Sequence, residues 1–269
     1  MKIAILGSGG REHALVNQMS LSKKTTKIYC IPGNAGTCHL AENVNLNLDN
    51  FESIYDFILK NKIELVVVGP EKPLVDGIAD FLQEKKIKVF GPNKTLSQFE
   101  GSKTFTKNIC KKYNIPTAKF NILKNLKESI EYLNQVKFPI VIKADGLAAG
   151  KGVYISETND QAKIAVKEIF DGKFGLAKQL LIEEFLIGEE MSFFTIHDGT
   201  NFKTFDTAQD HKRVLEGDKG KNTGGMGAYS PSRLINKDLK NKIINKIIRP
   251  TLKGLEEVGT KYKGFLYTG

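Results

Sequence analysis

The chain has 269 residues, of which 41% are hydrophobic and 26% are charged, as is ordinary for a globular protein of one or two domains. No apolar run reaches the ~20 residues of a membrane-spanning helix or resembles a secretory signal, so we expect a cytoplasmic protein. The net charge of +10 suits anionic ligands or a lysine-rich surface, but no arginine-rich tract with interleaved aromatic residues indicates nucleic-acid binding.

The first hundred residues alternate short apolar runs with stretches of helical spacing. Strands are predicted at Lys2–Leu6, Lys27–Ile31, Ile63–Val68 and Ile87–Phe90, and helices at Arg11–Met19, Phe51–Lys60 and Asp76–Lys85. This alternation is typical of parallel strands joined by right-handed crossovers. We therefore predict an α/β protein whose N-terminal part is a doubly wound parallel sheet.

Loops that contain glycine follow three of these strands, at 7–13, 32–37 and 69–71. Ligands of doubly wound sheets gather at the carboxyl ends of strands, where the amides of a glycine turn bind anions. A nicotinamide cofactor is not favoured, because Glu12 replaces the third glycine of the G-x-G-x-x-G fingerprint and no acidic residue ends the second strand. We expect the three loops to meet at one edge of the sheet and to bind an anion there.

A second unit follows the first hundred residues. Helices are predicted at Ser102–Tyr113 and Leu126–Val136, and strands at Lys119–Leu123, Phe138–Lys143, from Val153 onward, and Gln179–Glu184. The loop between Lys143 and Val153 is rich in glycine and carries a lysine, a composition that can close over a polyphosphate. The acidic cluster at 183–190 ends a strand and could hold adenine and ribose.

The glycine-rich loop is not a Walker A loop. Gly146 and Gly150 enclose three residues rather than four, and Gly152 stands where a serine or threonine would follow Lys151. The hydroxyl that binds magnesium is therefore absent, and a strand rather than a helix comes next. The sequence thus excludes a P-loop NTPase.

Eight motifs together resemble the phosphoribosylamine–glycine ligase family of the ATP-grasp superfamily. They are GSGGREH at 7–13, PGNAGT at 32–37, GPE at 69–71, SKTFTK at 102–107, IKADGLAAGKGV at 142–153, IEEFLIG at 182–188, QDHKR at 209–213 and NTGGMGAYSP at 222–231. Each motif alone is only suggestive. Their order and compatible spacing over essentially all 269 residues make the resemblance specific.

The resemblance implies a ligase of purine biosynthesis. Such an enzyme uses ATP to join glycine to 5-phosphoribosylamine through a glycyl phosphate, and it releases glycinamide ribonucleotide, ADP and phosphate. ATP with magnesium or manganese would be required, the partners would be small molecules, and neither nucleic acid nor a membrane is expected. The implied domains are a pre-ATP-grasp substrate-binding domain at 1–101 and an incomplete α+β ATP-grasp domain at 102–269, whose nucleotide-binding lobe lies at about 116–190.

The resemblance also assigns site residues to three groups. Those implied to bind the nucleotide are Lys103, Lys143, Asp145, Gly146, Gly150, Lys151, Gly152, Glu183, Glu184, Phe185, Leu186 and Glu190. Those implied to bind the other substrates are Gly9, Gly10, Arg11, Glu12, Asn34, Glu71, Asn222, Thr223, Gly224, Gly225, Met226 and Gly227. Catalytic roles fall to Asp210, Lys212 and Arg213, of which Arg213 would stabilise an acyl phosphate or a tetrahedral oxyanion.

The family continues past the position of Gly269 with a Glu-x-Asn metal site and a further domain. No metal ligand is therefore expected within these 269 residues, and the chain as given is expected to be inactive or nearly so. A separate C-terminal polypeptide would supply the ligands if the enzyme is split. Glycine-dependent ADP release at an enzymatic rate would contradict this expectation.

Two alternatives stay open. One is another ATP-grasp enzyme, such as an amine-directed carboxylase or a formate-using ligase, although the motifs at 210–213 and 222–231 argue against it. The other is a non-catalytic nucleotide-binding fragment or partner subunit. Testing glycine against bicarbonate and formate would separate the first alternative from the ligase.

Overall fold

The protein was analysed as a computed structural model that describes residues 1–147, 152–217, 219–223 and 225–269, with the backbone alone at 219, 221 and 222. Its contacts divide it into two compact units. One comprises Met1–Gln98 and Tyr262–Phe265, and the other comprises Phe99–Lys261 and Leu266–Gly269. Among the described residues, no helix is both long and apolar enough to cross a membrane.

Short strands and helices alternate over the first hundred residues. In chain order they are β1 (Lys2–Gly7), α1 (Gly10–Ser20), β2 (Lys27–Pro32), β3 (Glu42–Asn43), α2 (Phe51–Asn61), β4 (Leu65–Val68), α3 (Glu71–Asp76), α4 (Ile78–Glu84), β5 (Val89–Phe90) and α5 (Lys94–Gly101). The strands form one sheet in the order β3-β2-β1-β4-β5, and every neighbouring pair is parallel. This confirms the doubly wound parallel sheet.

Both faces of this sheet are buried. Ala4 and Leu6 of β1 pack on one face with residues of α2 and α4, while Ile3 and Ile5 pack on the other face with Val16 of α1. Alternate side chains of a strand point to opposite faces, so a strand covered on both sides is apolar at every position. The continuous apolar run of β1 therefore follows directly from its place at the centre of the sheet.

The helix predicted at Asp76–Lys85 is wrong in its extent. Helix α3 ends at Asp76, and α4 begins two residues later, after Gly77. Gly77 has φ +103°, a left-handed conformation that interrupts an α-helix and that residues other than glycine rarely adopt. The apolar spacing runs on across the break because both short helices pack against the same sheet.

The second unit begins with a helix and an antiparallel sheet. The elements after residue 101 are α6 (Lys103–Lys112), β6 (Phe120–Leu123), α7 (Leu126–Leu133), β7 (Ile140–Ala144), β8 (Val153–Ser156), α8 (Asn159–Phe170), β9 (Leu180–Glu184), β10 (Phe193–Asp198), β11 (Phe202–Thr204), β12 (Gln209–Asp210), β13 (Arg213–Leu215), β14 (Lys219–Asn222), β15 (Ala228–Tyr229), α9 (Lys237–Ile243), a π-helical turn (Ile244–Ile248), α10 (Arg249–Val258) and β16 (Lys263–Thr268). Four strands pair antiparallel in the order β6-β9-β7-β8. Smaller sheets are formed by β11-β10-β16, β12-β15 and β13-β14.

One face of the four-stranded sheet packs on α7 and α8. Ile140, Ile142 and Ala144 of β7 lie in that core together with Leu180 and Ile182 of β9. The residues between them, which include those of the sequence-predicted nucleotide site, project from the opposite face. Packing therefore decides which side of the sheet carries the polar chemistry.

His197 of β10 is buried and neutral at ordinary pH. The hydroxyl of Thr195 donates to the carbonyl oxygen of Leu266 at 3.0 Å and lies 2.7 Å from Nε2 of His197. Because the hydroxyl proton is already donated, the hydroxyl oxygen accepts from the N–H at Nε2 of the neutral imidazole ring. Burial lowers the pKa of His197 to about 4, although the neighbouring Asp198 acts in the opposite direction. The unfolded chain, with a histidine pKa near 6.5, therefore binds more protons than the folded protein below neutrality.

Acidification should consequently destabilise the protein. Because the pKa of His197 is lower in the folded state, stability is lost as the pH falls from about 6.5 towards 4, and the loss at pH 5 is about 2 kcal/mol. Urea unfolding at pH 7.5 and pH 5 would measure it. His197→Gln keeps a donor towards Thr195 but does not titrate, so this variant should lose about 2 kcal/mol less than the native chain. Equal losses in the two proteins would contradict the assignment.

Candidate functional site

Glu12 lies at the centre of the N-terminal loops. It is only 3% exposed, and its carboxylate accepts hydrogen bonds from the amide of Gly9 at 2.7 Å and from Nε of Arg11 at 3.0 Å. A Cβ atom on Gly69 would collide with this carboxylate, which explains why the loop after β4 requires glycine there. Glu12, which departs from the dinucleotide fingerprint, thus accepts a hydrogen bond from the backbone of the glycine turn.

The three loops contact one another, as the sequence predicted. Arg11 Nη1 lies 2.8 Å from Glu71 Oε1, which ties the first loop to the loop after β4. Asn34 Nδ2 donates to the carbonyl oxygen of Ser8 at 2.9 Å, which ties the first loop to the loop after β2. Burial would lower the pKa of Arg11, but its hydrogen bonds to Glu71 and Glu12 raise it. Burial would also raise the pKa of Glu71, but the bond from Arg11 holds it below its ordinary value.

The glycine turn differs from the open anion pocket that the sequence suggested. In this structure the amide of Gly9 donates to Glu12 and is not presented to a ligand. Gly10, the first residue of α1, is exposed, as is Gly9. The Arg11–Glu71 pair therefore gives this edge a cation and a carboxylate, whereas the amide of Asn34 is already hydrogen-bonded within the loops.

Lys143 and Glu183 meet on the polar face of the four-stranded sheet. In the β7–β9 register, Lys143 pairs with Leu181 and Val141 pairs with Glu183, so the two charged residues are diagonal neighbours on one face. Lys143 Nζ lies 2.8 Å from Glu183 Oε2. Glu183 is only 5% exposed, and its Oε1 has no hydrogen-bond partner among the described residues.

Asp145 fastens the start of the glycine-rich loop to the beginning of α6. Its carboxylate accepts from the Thr104 amide at 3.2 Å, from Ser102 Oγ at 3.1 Å and from Gln179 Nε2 at 2.7 Å. Burial would raise the pKa of Asp145, but these hydrogen bonds outweigh it and hold the pKa below its ordinary value. Beside it, Lys103 Nζ donates to the carbonyl oxygen of Gly146 at 2.9 Å, and burial lowers the pKa of Lys103.

The acidic segment after β9 is largely exposed. Glu184 accepts from the Lys119 amide at 2.8 Å, while Phe185 is half-buried and Leu186 is 63% exposed. Glu190 Oε1 lies 2.5 Å from Lys212 Nζ. The segment therefore leads from the strand edge to the residues predicted to be catalytic.

Two stretches predicted to act together do form one structure. Asp210 pairs with Ala228 in the β12–β15 ladder, and Arg213 pairs with Asn222 in the β13–β14 ladder. Between the ladders, the Thr223 amide donates to the carbonyl oxygen of Lys212 at 2.6 Å, and the amides of Met226 and His211 donate to the carbonyl oxygens of His211 and Gly227. Lys212 also lies 3.9 Å from Asp210. Gly225 and Gly227 are exposed in the connecting loop.

Three predicted residues, Gly150, Lys151 and Gly224, lie outside the described part of the chain. Gly152 is described, and its carbonyl oxygen accepts from the Ala144 amide at 2.8 Å, which closes the base of the glycine-rich loop. No group of three histidine, cysteine, aspartate or glutamate side chains that could hold a metal ion occurs among the described residues.

Comparison with known sequences decides the family. The profile of the phosphoribosylglycinamide synthetase ATP-grasp (A) domain matches residues 101–269, and the profile of the N domain of the same synthetase matches residues 1–100. The chain belongs to the phosphoribosylglycinamide synthetase family.

Relatives of known sequence or structure agree with this assignment. The chain is 49% identical over 270 residues to a phosphoribosylamine–glycine ligase of Mesorhizobium japonicum. The alignment covers all of this chain and 64% of that protein. It superimposes on the crystal structure of the Thermotoga maritima phosphoribosylamine–glycine ligase with a TM-score of 0.84 at 36% identity, over 100% of this chain and 65% of the other. The chain thus spans slightly less than two thirds of these relatives.

The fold is shared with more distant proteins. The ADP complex of an N5-carboxyaminoimidazole ribonucleotide synthetase superimposes with a TM-score of 0.71 at 20% identity, over 99% of this chain and 65% of the other. At that identity the likeness concerns the fold alone. Within the phosphoribosylglycinamide synthetase family, this chain therefore has an ATP-grasp fold that follows an N domain.

Two residues that contact the candidate nucleotide site were not predicted from the sequence. Gln179 binds Asp145, and Lys107 lies 3.3 Å from Glu183 Oε1. Lys107 could have been predicted from the sequence, because residues four apart on a helix share a face and Lys103 was already assigned to the nucleotide site. Gln179 could not, since only the fold brings it to Asp145.

Proposed function

We propose that this chain carries the ATP-binding part and the acceptor-binding part of a phosphoribosylamine–glycine ligase. The reaction phosphorylates the carboxylate of glycine with ATP, and the amine of 5-phosphoribosylamine then displaces phosphate to form glycinamide ribonucleotide. The observation that carries the proposal is the cluster of Lys103, Lys143 and Glu183 around the turn that Asp145 fastens. Two half-buried cations beside a glycine-rich turn suit the phosphates of a nucleotide.

The nucleotide-binding residues divide into phosphate and adenosine ligands. Lys103 and Lys143 would hold phosphates with Gly146, Gly152 and the loop between them, which carries Gly150 and Lys151. Asp145 would act as a positioning group, since its own oxygens are occupied by donors of the protein. Glu183, Glu184, Phe185, Leu186 and Glu190 would surround adenosine.

The acceptor side would be formed by the paired ladders. Arg213 can stabilise negative charge on an acyl phosphate or a tetrahedral oxyanion with its planar donors. Asp210 and Lys212 would position it, and the loop of Asn222, Thr223, Gly224, Gly225, Met226 and Gly227 would bring backbone donors close to the substrate. In the first unit, Gly9, Gly10, Arg11, Glu12, Asn34 and Glu71 would bind phosphoribosylamine.

Magnesium or manganese would neutralise charge during phosphoryl transfer in an enzyme of this kind. The described residues do not fit a metal ion, because no cluster of suitable ligands occurs among them. We therefore assign no metal ligand among the described residues. What the chain's own residues supply is binding, orientation and charge stabilisation around the reacting groups.

Calorimetry with ADP tests the nucleotide site, and ADP release tests the reaction. We expect the chain to bind ADP. The substitution Lys143→Met should weaken ADP binding at least tenfold, because it removes one of the cations that would contact the phosphates. ADP release should be measured with glycine and phosphoribosylamine, for the 269-residue chain and for the protein as isolated from its source. A requirement for bicarbonate or formate in place of glycine would identify another ATP-grasp reaction. Absence of nucleotide binding would overturn the proposal.

A further inference from the structure

Lys107 is a buried lysine that the proposed chemistry does not use. It is 8% exposed and lies one turn after Lys103 on α6. Its Nζ donates to Thr117 Oγ1 at 2.6 Å, lies 3.5 Å from the carbonyl oxygen of Ala118, and forms an ion pair with Glu183 Oε1 at 3.3 Å. Burial lowers the pKa of Lys107, and Glu183 acts against that shift. The ammonium group is thus held in place on several sides.

Glu183 therefore has two cations, one on each oxygen. Lys143 lies 2.8 Å from Oε2, and its side chain is 28% exposed, whereas the side chain of Lys107 is 10% exposed. Lys107 is already bound to the segment that precedes β6, while Glu183 is the partner of Lys143 in this structure. Of the two cations, Lys143 is the one that can turn towards a ligand.

We propose that Lys107 is a positioning residue that serves as the permanent counter-ion of Glu183, so that Lys143 can leave Glu183 and bind a nucleotide phosphate. This inference rests on the nucleotide site proposed above. A buried carboxylate deprived of its partner is strongly destabilised, whereas a second cation already in place removes that penalty. Without Lys107, binding of phosphate by Lys143 would leave Glu183 buried and unpaired.

Within the described part of the chain, charged and titratable groups that interact with Glu183 come from α6 and β7. Helix α6 contributes Lys103, Lys107 and Cys110, and β7 contributes Lys143. From β6, Phe120 contributes an uncharged ring 5.3 Å from Lys107 Nζ. Among these groups, Lys107 and Lys143 are the cations within ion-pair distance of the carboxylate.

The test compares the affinity for ADP of the Lys107→Met and Lys107→Arg variants at pH 8. Lys107→Met should bind ADP at least tenfold more weakly at pH 8, whereas Lys107→Arg, which keeps the charge, should stay within about threefold of the native chain. Lys111→Met, an exposed lysine on the same helix, controls for general loss of charge and should stay within about twofold.

A double-mutant cycle separates a charge role from a packing role. In the Glu183→Gln background no counter-ion is needed, so adding Lys107→Met should change ADP affinity by less than about threefold. An equal loss in Lys107→Met and Lys107→Arg, or a loss that persists in the Glu183→Gln background, would overturn the inference. The double variant also replaces both buried charges, so it keeps the test valid if Lys107→Met alone does not fold. Failure of the native chain to bind ADP would instead overturn the nucleotide site itself.

Discussion

Asp145→Ala is expected to lower the free energy of unfolding by about 3 kcal/mol and to weaken ADP binding at least tenfold. The substitution leaves four neighbouring donors without their acceptor, on Ser102, Thr104, Gly146 and Gln179. Each such donor, partly shielded from water, costs about 1 kcal/mol or more. The loop that begins at Gly146 would then no longer be fastened to α6.

The pH dependence of this effect has a definite sign. Because the pKa of Asp145 is below its ordinary value in the folded protein, its contribution to stability is present at neutral pH and is lost as the pH falls below about 4. Urea unfolding of native and variant proteins at pH 7 and at pH 3.5 should show a smaller difference at the lower pH. Asp171→Ala removes an exposed carboxylate from the same unit and should change stability by less than about 0.5 kcal/mol. A loss in the control as large as in Asp145→Ala would contradict the explanation.

Glu12→Ala is expected to cost a similar amount, about 3 kcal/mol, for a different reason. Glu12 is almost fully buried, and its side chain fills the space left by the glycines at 7 and 69. The variant opens a cavity there and removes the acceptor of the Gly9 amide and of the Arg11 guanidinium. Thermal and urea unfolding would measure the loss.

Glu12→Gln is the matched control for volume. Its carbonyl oxygen can still accept from Gly9, so it should lose no more than about 1 kcal/mol. Glu12→Gly restores the G-x-G-x-x-G pattern from Gly7 onward but supplies no acidic residue at the end of β2. We expect that variant not to be stabilised by NADH. A rise in melting temperature with NADH would show that Glu12 alone excludes the dinucleotide.

Much of the fold follows from local patterns. The apolar runs of β1 and β4 predict strands covered on both sides. The break between α3 and α4 was missed, because a single glycine inside a helical pattern is often tolerated. Whether Gly77 continues or interrupts a helix depends on how the flanking residues pack against the sheet.

The candidate site was predictable in its residue types but not in its contacts. Motif spacing pointed to Lys103, Lys143 and Glu183, and the order of motifs pointed to the family. That Asp145 is held by donors from two distant segments, the start of α6 and Gln179, could not be inferred, since hydrogen bonds between distant residues leave no periodic signal. The role of Glu12 could not be inferred either. In the fingerprint its position calls for glycine, whereas in the structure its carboxylate accepts a hydrogen bond from Gly9.

By itself, the sequence determined the parallel N-terminal sheet, the family and the residues that carry charge, because periodicity and motif spacing are local properties of a chain. Only the tertiary structure decided how those charges are paired. The antiparallel register of β7 and β9 places Lys143 beside Glu183, and the packing of α6 brings Lys107 to the other oxygen of that carboxylate. Register and helix packing join residues up to 76 positions apart, from 107 to 183, through burial of the same core, and no local pattern records that choice.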